Sequence, residues 1–257
     1  MEQKLVQVPV GAASLDLLHR GSAEAFIEAL CADALSHPAV DHPYLWRLAE
    51  GGFADMPAAV RDYCHQYAFY CADFPAYLQA VIRGLSSSAH RKLVMHNLNE
   101  ERGSASGDVP AGRDDVPHTE LFRRFQRAAG VTEAYVDAHP PCTTVSIWRD
   151  LFLQKCGARQ VGIGLGAIGI GTELIVSTVY QFLHRAVTGY TDMRPEDYLF
   201  LTVHLDCDDG HADQMKAISV EMAEDLRHRE ALRFGALSAL NLRNAFWDVM
   251  LARGGAR

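Results

Sequence analysis

The sequence predicts an all-α bundle of about seven to eight helices in a single domain, residues 1–257. Three observations carry that reading. Most of the chain repeats its apolar residues at helical spacing, and few stretches alternate as strands do. At 257 residues and 49% hydrophobic, the chain suits one large core. It holds no internal repeat, and no linker long enough to separate domains.

The elements follow in order. Residues 22–36 (SAEAFIEALCADALS) are helical by pattern. A long helix is expected from Pro57 to about Leu85, kinked at Pro75, whose ring blocks a regular helical bond. Another runs from Ser87 to about Arg102 and stops at Gly103. The stretch GSASGDVPAGRDDVP (103–117) is rich in Gly, Ser, Asp and Pro and reads as a loop. Helices restart at His118 and around Thr143, and the long apolar segment 160–186 follows. Pro195 with Glu196 and Asp197 makes a favourable helix start, because proline needs no donor there and acids suit the positive helix end. A last helix is expected over about 236–253.

Composition narrows the function. The net charge of -8 argues against a nucleic-acid surface, and no basic cluster contradicts it. No charge-free apolar run of about 18 residues reads as a membrane span, and the N-terminus lacks the pattern of a signal peptide. The six cysteines form no CxxC pair, which suits a reduced cytoplasm.

Residues 204–211, HLDCDDGH, hold the densest polar chemistry. On a helix Asp208 lies about 40° and His211 about -20° from His204, so the three share one stripe. Asp206 and Asp209 point elsewhere. A metal would satisfy all three groups, and a solvated helix end is the plain alternative. Glu101 stands in the last turn of its helix, where a carboxylate opposes the dipole. Glu173 is the single charged residue between Arg159 and His184, and a lone carboxylate in so apolar a run needs a partner or an ion.

Gly164, Gly166 and Gly169 spell GxGxxG, the dinucleotide fingerprint, but no βαβ alternation surrounds them. A helical wheel instead aligns Gly162, Gly166, Gly169, Glu173, Ser177 and Tyr180 on one stripe. Small residues there admit a neighbouring helix or leave a channel. The expectation is that Gly166, Gly169 and Ser177 border a substrate space beside Glu173.

In order, FPAYL (74–78), NLNEERG (97–103), HTELF (118–122), Glu173, and His204 with Asp208 and His211 resemble the haem-oxygenase-like di-iron oxidases and oxygenases. The resemblance covers roughly residues 60–220. It implies a haem-oxygenase-like helical fold holding two Fe(II) ions on Glu101, His118, Glu173, His204, Asp208 and His211. His118 and His211 would serve one iron, His204, Asp208 and Glu173 the other, with Glu101 bridging; Glu101, Glu173 and Asp208 are the implied catalytic carboxylates. Some members add a carboxylate from the preceding helix. Here Asp73 is the nearest candidate, with Asp62 and His65 behind it, and the loop between Glu101 and His118 is long.

By the same resemblance the chain activates O2 to oxidise a small amino-acid-like or fatty-acid-like substrate in a biosynthetic pathway. N-oxygenation, oxidative C–C cleavage and desaturation all stay open, as do an external electron donor and a homodimer. Tyr67, Tyr70 and Tyr180 are candidates for the pocket wall or electron transfer, and Arg91 and Arg159 for holding a substrate carboxylate. The rival readings are a non-catalytic helical binding protein and a cofactor-free or haem-using relative, for which His19 is the available axial histidine.

Overall fold

Most helices of the first half begin where a short polar side chain or a proline satisfies the first turn. In the computed structural model, which describes residues 11–103 and 116–255, the Ser22 hydroxyl accepts from the Ala25 amide at 3.2 Å and opens α2 (Ala23–Leu35), after a short α1 (Ala12–Asp16). The Asp55 carboxylate accepts from the Ala58 amide at 2.8 Å at the head of α4 (Met56–Cys71), and Pro57 occupies its first turn. Ser87 caps α6 (Ser88–Glu101) through the His90 amide.

The helix expected over 57–85 is two helices. It breaks at Ala72 and Asp73, and Pro75 becomes the opening turn of α5 (Phe74–Gly84). Without an amide hydrogen Pro75 cannot continue the helical ladder, so it starts a new helix more readily than it bends an old one. A two-turn α3 (Pro43–Ala49) precedes this pair. Then come α7 (His118–Ala128), the short α8 (Glu133–Ala138) and α9 (Thr143–Cys156). The chain enters the core through α10 (Val161–Leu165), a π-helical segment (Gly166–Glu173) and α11 (Leu174–Tyr190). A 3-10 turn at Pro195–Tyr198 leads into α12 (Leu199–Ala223), and α13 (Leu226–Gly255) closes the bundle. That last helix starts about ten residues earlier than expected. The fold class is all-α as predicted, with no strand among the described residues.

The segment Val161–Tyr190 is the spine: its π-helical part packs along α13 and α12, and α11 lies against α12 and α3. By length and composition it could cross a bilayer, but 72% of its most apolar 18-residue stretch is buried within the bundle. One hydrophobic cluster includes Phe26, Leu45, Tyr67, Phe152, Ile168, Val179, Leu240 and Trp247, from helices at both ends of the chain.

The glycines of the spine serve close helix packing. A Cβ on Gly166 would lie 2.1 Å from the Leu232 carbonyl oxygen, and one on Gly235 would lie 2.0 Å from that of Ile163. Gly169 faces Met215 of α12 in the same way. The expectation that Gly166, Gly169 and Ser177 border a substrate space is therefore corrected: the glycines admit helices, and none of the three lines the cavity described below. The wheel that aligned them assumed 3.6 residues per turn, whereas i→i+5 bonding over Gly166–Glu173 winds more residues into each turn and splits the stripe.

Candidate metal centre

Glu101, the last residue of α6, and His118, the first of α7, come together although sixteen residues separate them in sequence. The Glu101 carboxylate lies 3.0 Å from His118 Nδ1. The His204 ring of α12 stacks edge-on to His118 with centroids 4.7 Å apart. Donor atoms of Glu101, His118 and His204 lie within 4.8 Å of one another, close enough to share one ion. Glu101 and His204 are buried and His118 is half-buried.

Hydrogen bonds set the tautomer and the free acceptors. His204 donates from Nδ1 to the Phe200 carbonyl at 2.7 Å, which leaves Nε2 as the unprotonated nitrogen, facing the group. Burial, then repulsion from His118, pushes the His204 imidazole down to about 4, so it stays neutral and able to ligate. For His118, burial opposes the charge, but the Glu101 carboxylate outweighs it and raises the imidazole above its ordinary value. Burial likewise opposes ionisation of Glu101, yet His118 holds its carboxyl below the usual range.

Glu173 closes the π-helical segment beside these groups. Its Oε1 accepts from Asn97 Nδ2 at 3.1 Å, and burial raises its pKa. Glu101, Glu173 and His204 line the same small cavity, of about 30 Å3, whose other walls are largely Tyr67, Tyr70, Phe74, Val176, Tyr180 and Phe200. The three tyrosines are thus wall residues. The Tyr67 and Tyr180 hydroxyls sit 3.1 Å apart, and the Arg243 guanidinium donates to Tyr67 Oη at 3.5 Å from behind the wall.

His211 stands apart from the trio. Its Nε2 is hydrogen-bonded to the Glu100 carboxylate, and that contact raises the imidazole against the pull of burial. Asp208 belongs to α12, but its side chain lies outside the described residues. Other candidates are engaged elsewhere. Asp62 forms a two-point ion pair with Arg253 at 2.7 and 2.8 Å, His65 bonds the His139 carbonyl, and Asp73 is half-exposed near Arg149. Arg91 is held by the Leu85 and Ser86 carbonyls and Arg159 is exposed; neither lines the cavity, so neither takes up the substrate-anchoring role considered for it. His19 is exposed.

Sequence reasoning passed over two residues. Asn97, four residues before Glu101, was readable as its neighbour on the same helix face. Glu100 was not, because its role depends on where α12 crosses α6.

A family model described as an iron-containing redox enzyme, of the haem-oxygenase-like kind, matches residues 61–244. The chain belongs to that family. It is accordingly an iron-containing redox enzyme, and the mixed carboxylate and imidazole donors above suit iron. Among curated relatives, a 4-aminobenzoate synthase of Chlamydia muridarum is 22% identical over 78% of this chain and 80% of its own length. A 4-aminobenzoate synthase of Chlamydia pneumoniae is 26% identical over 74% of this chain and 77% of its own. The fold is shared with solved structures. A CADD-like protein from Nostoc punctiforme superposes with a TM-score of 0.71 at 14% identity, over 90% of this chain and 98% of that one. A TenA homologue from Pseudomonas syringae does so at 0.70 and 13% identity, over 91% and 95%. A haem-oxygenase-like domain from Shewanella denitrificans gives 0.65 at 14% identity, over 88% and 89%.

Proposed function

We propose that the chain is a single-domain non-haem di-iron oxidase that uses O2 to oxidise a small substrate in a biosynthetic pathway. The observation that carries this is the meeting of Glu101, His118 and His204 at one wall of an apolar, aromatic-lined cavity that Glu173 also enters. Glu101, His118, Glu173, His204, Asp208 and His211 would hold two Fe(II) ions. His118 and His211 would serve one ion, and His204, Asp208 and Glu173 the other, with the Glu101 carboxylate available to both. Two ferrous ions held there would supply the electrons that reduce O2.

The chain's own groups do the rest. Phe74, Val176 and Phe200 exclude water from the cavity, where fixed charges act more strongly than in solution. His204 is fixed by Phe200 so that its ligating nitrogen needs no reorientation. Asn97 holds the Glu173 carboxylate against rotation. Tyr67 and Tyr180 offer hydroxyls to a polar end of the substrate, and the flat walls suit a planar or slender body. The relatives named 4-aminobenzoate synthase favour a biosynthetic oxidation touching an amine or an amino-acid-like skeleton.

The test is anaerobic titration with ferrous iron followed by O2. Uptake approaching two irons per chain and a transient visible absorbance support the reading. His204→Ala and Asp208→Ala should each bind sharply less iron, by on the order of tenfold in affinity or more, while Asp206→Ala behaves as the parent. Unchanged uptake in both ligand variants would remove the assignment.

A further inference from the structure

A second set of metal-ligating side chains lies just outside the group formed by Glu101, His118 and His204. His96 and Glu100 are one turn apart on α6, with His96 Nε2 3.4 Å from Glu100 Oε1. The other carboxylate oxygen of Glu100 contacts His211 Nε2, which reaches across from α12. These three residues line a surface pocket, and His118 forms part of its wall. His118 is therefore shared: one side of its ring borders this open pocket, and its Nδ1 meets the buried Glu101. Burial grades inward along the series. The His96 side chain is 43% exposed, Glu100 33%, and His211 and His118 12% each, with Glu101 at 7%.

Apart from Glu101, Glu173 and His204, the inner cavity is walled largely by aromatic and aliphatic side chains, and those three donors are buried away from a hydrated cation at the surface. The outer pocket offers two imidazoles and a carboxylate at the surface. Resting on the di-iron reading above, we propose that His96, Glu100 and His211 form an acquisition site, where an incoming divalent transition-metal ion first binds before it passes to Glu101 and His118. Glu100 supplies the charge that attracts the ion and trades water from its hydration shell for a carboxylate oxygen. His211 is the transferring ligand: it starts on Glu100 and ends on the inner ion. A simple ion pair between α6 and α12 would add some stability and would leave the rate of metal uptake alone.

The test is stopped-flow mixing of chelator-stripped protein with Co(II), read by the visible absorbance of the bound ion, with metal content measured at equilibrium. The Glu100→Gln uptake rate should fall on the order of fivefold or more, with the parent's final metal content. His96→Gln, at an exposed position that cannot threaten folding, should slow uptake less. Glu120→Gln on α7 removes the same charge from a carboxylate already paired with Arg127, and should load at the parent's rate. A parent-like rate in Glu100→Gln, an equal slowing in Glu120→Gln, or a final content one ion short in Glu100→Gln would each overturn the proposal. If the parent loads two ions and Glu100→Gln loads as fast, the acquisition site alone falls. If the parent takes up no ion, the di-iron reading falls with it.

Discussion

Glu173 is a buried carboxylate whose one hydrogen-bond partner among the described residues is the Asn97 amide. Such a group is costly to the folded chain and valuable to an ion, and the two effects can be separated. Glu173→Gln keeps the shape and the bond from Asn97 while removing the charge. In chelator-treated protein it should be neutral or stabilising by about 1 kcal/mol. In the same variant, thermal stabilisation by ferrous iron should shrink or vanish. Parent-like stabilisation by iron would show that Glu173 is structural. The buried charge was legible in the sequence, because a lone acid in an apolar run has to be answered by something. Asn97 was legible in part, through its one-turn spacing from Glu101. The pairing of Glu100 with His211 was not, since adjacent glutamates look alike until a second helix selects one of them.

Among the elements, α2 and α3 are tied to α13 by two histidines used in the same way. His37 accepts the Ala39 amide at Nδ1 and bonds Asn241 Oδ1 through Nε2, each at 3.1 Å, and His42 does likewise with Tyr44 and Asp248. Burial holds the His37 imidazole below its ordinary value, with the Asn241 bond opposing. A base whose folded pKa is lowered contributes stability above its unfolded pKa, about 6.5, and loses it as pH falls. The melting-temperature gap between the parent and His37→Gln should therefore narrow between pH 7.5 and pH 5.5; a constant gap would show that the ring acts through packing alone. The spine makes a sharper prediction. Gly166→Ala drives a methyl into the Leu232 carbonyl of α13 and should cost about 3 kcal/mol by denaturant unfolding. Helix positions on either side of the spine were readable from caps and periodicity. The π-helical winding was not, because glycine-rich apolar sequence carries the same pattern in either winding.

For the whole molecule, α13 is the closing piece. It packs against α10, the π-helical segment, α9, α12, α3 and α2, and it buries Leu240, Phe246 and Trp247. Truncation after Ala236 should leave a chain that does not fold cooperatively, seen as loss of a sigmoidal melt, although the residues of the candidate centre all precede the cut. The ordered motifs pointed correctly to a haem-oxygenase-like fold, because each motif marks a helix the fold needs. They were silent on α13, which carries none of them and whose length follows from the core it has to cover. Iron should also stabilise the entire bundle, since its proposed ligands join α6, α7, the spine and α12. At free iron near 100 times the dissociation constant, each site adds about 2.7 kcal/mol.

The π-helical segment ending at Glu173 sets the angular phase of everything after it independently of everything before it. Ahead of it, α10 is locked to α13 by glycine contacts, and behind it α11 is locked to α12 and α3. Deleting a single residue within 166–172 would change both the winding and the residue count of the spine, and with them the angle at which Glu173 stands relative to α10. Both ends could not then keep their partners. Length here works as a vernier: one codon decides which side chain faces the candidate centre, while the composition of the spine would hardly register the change.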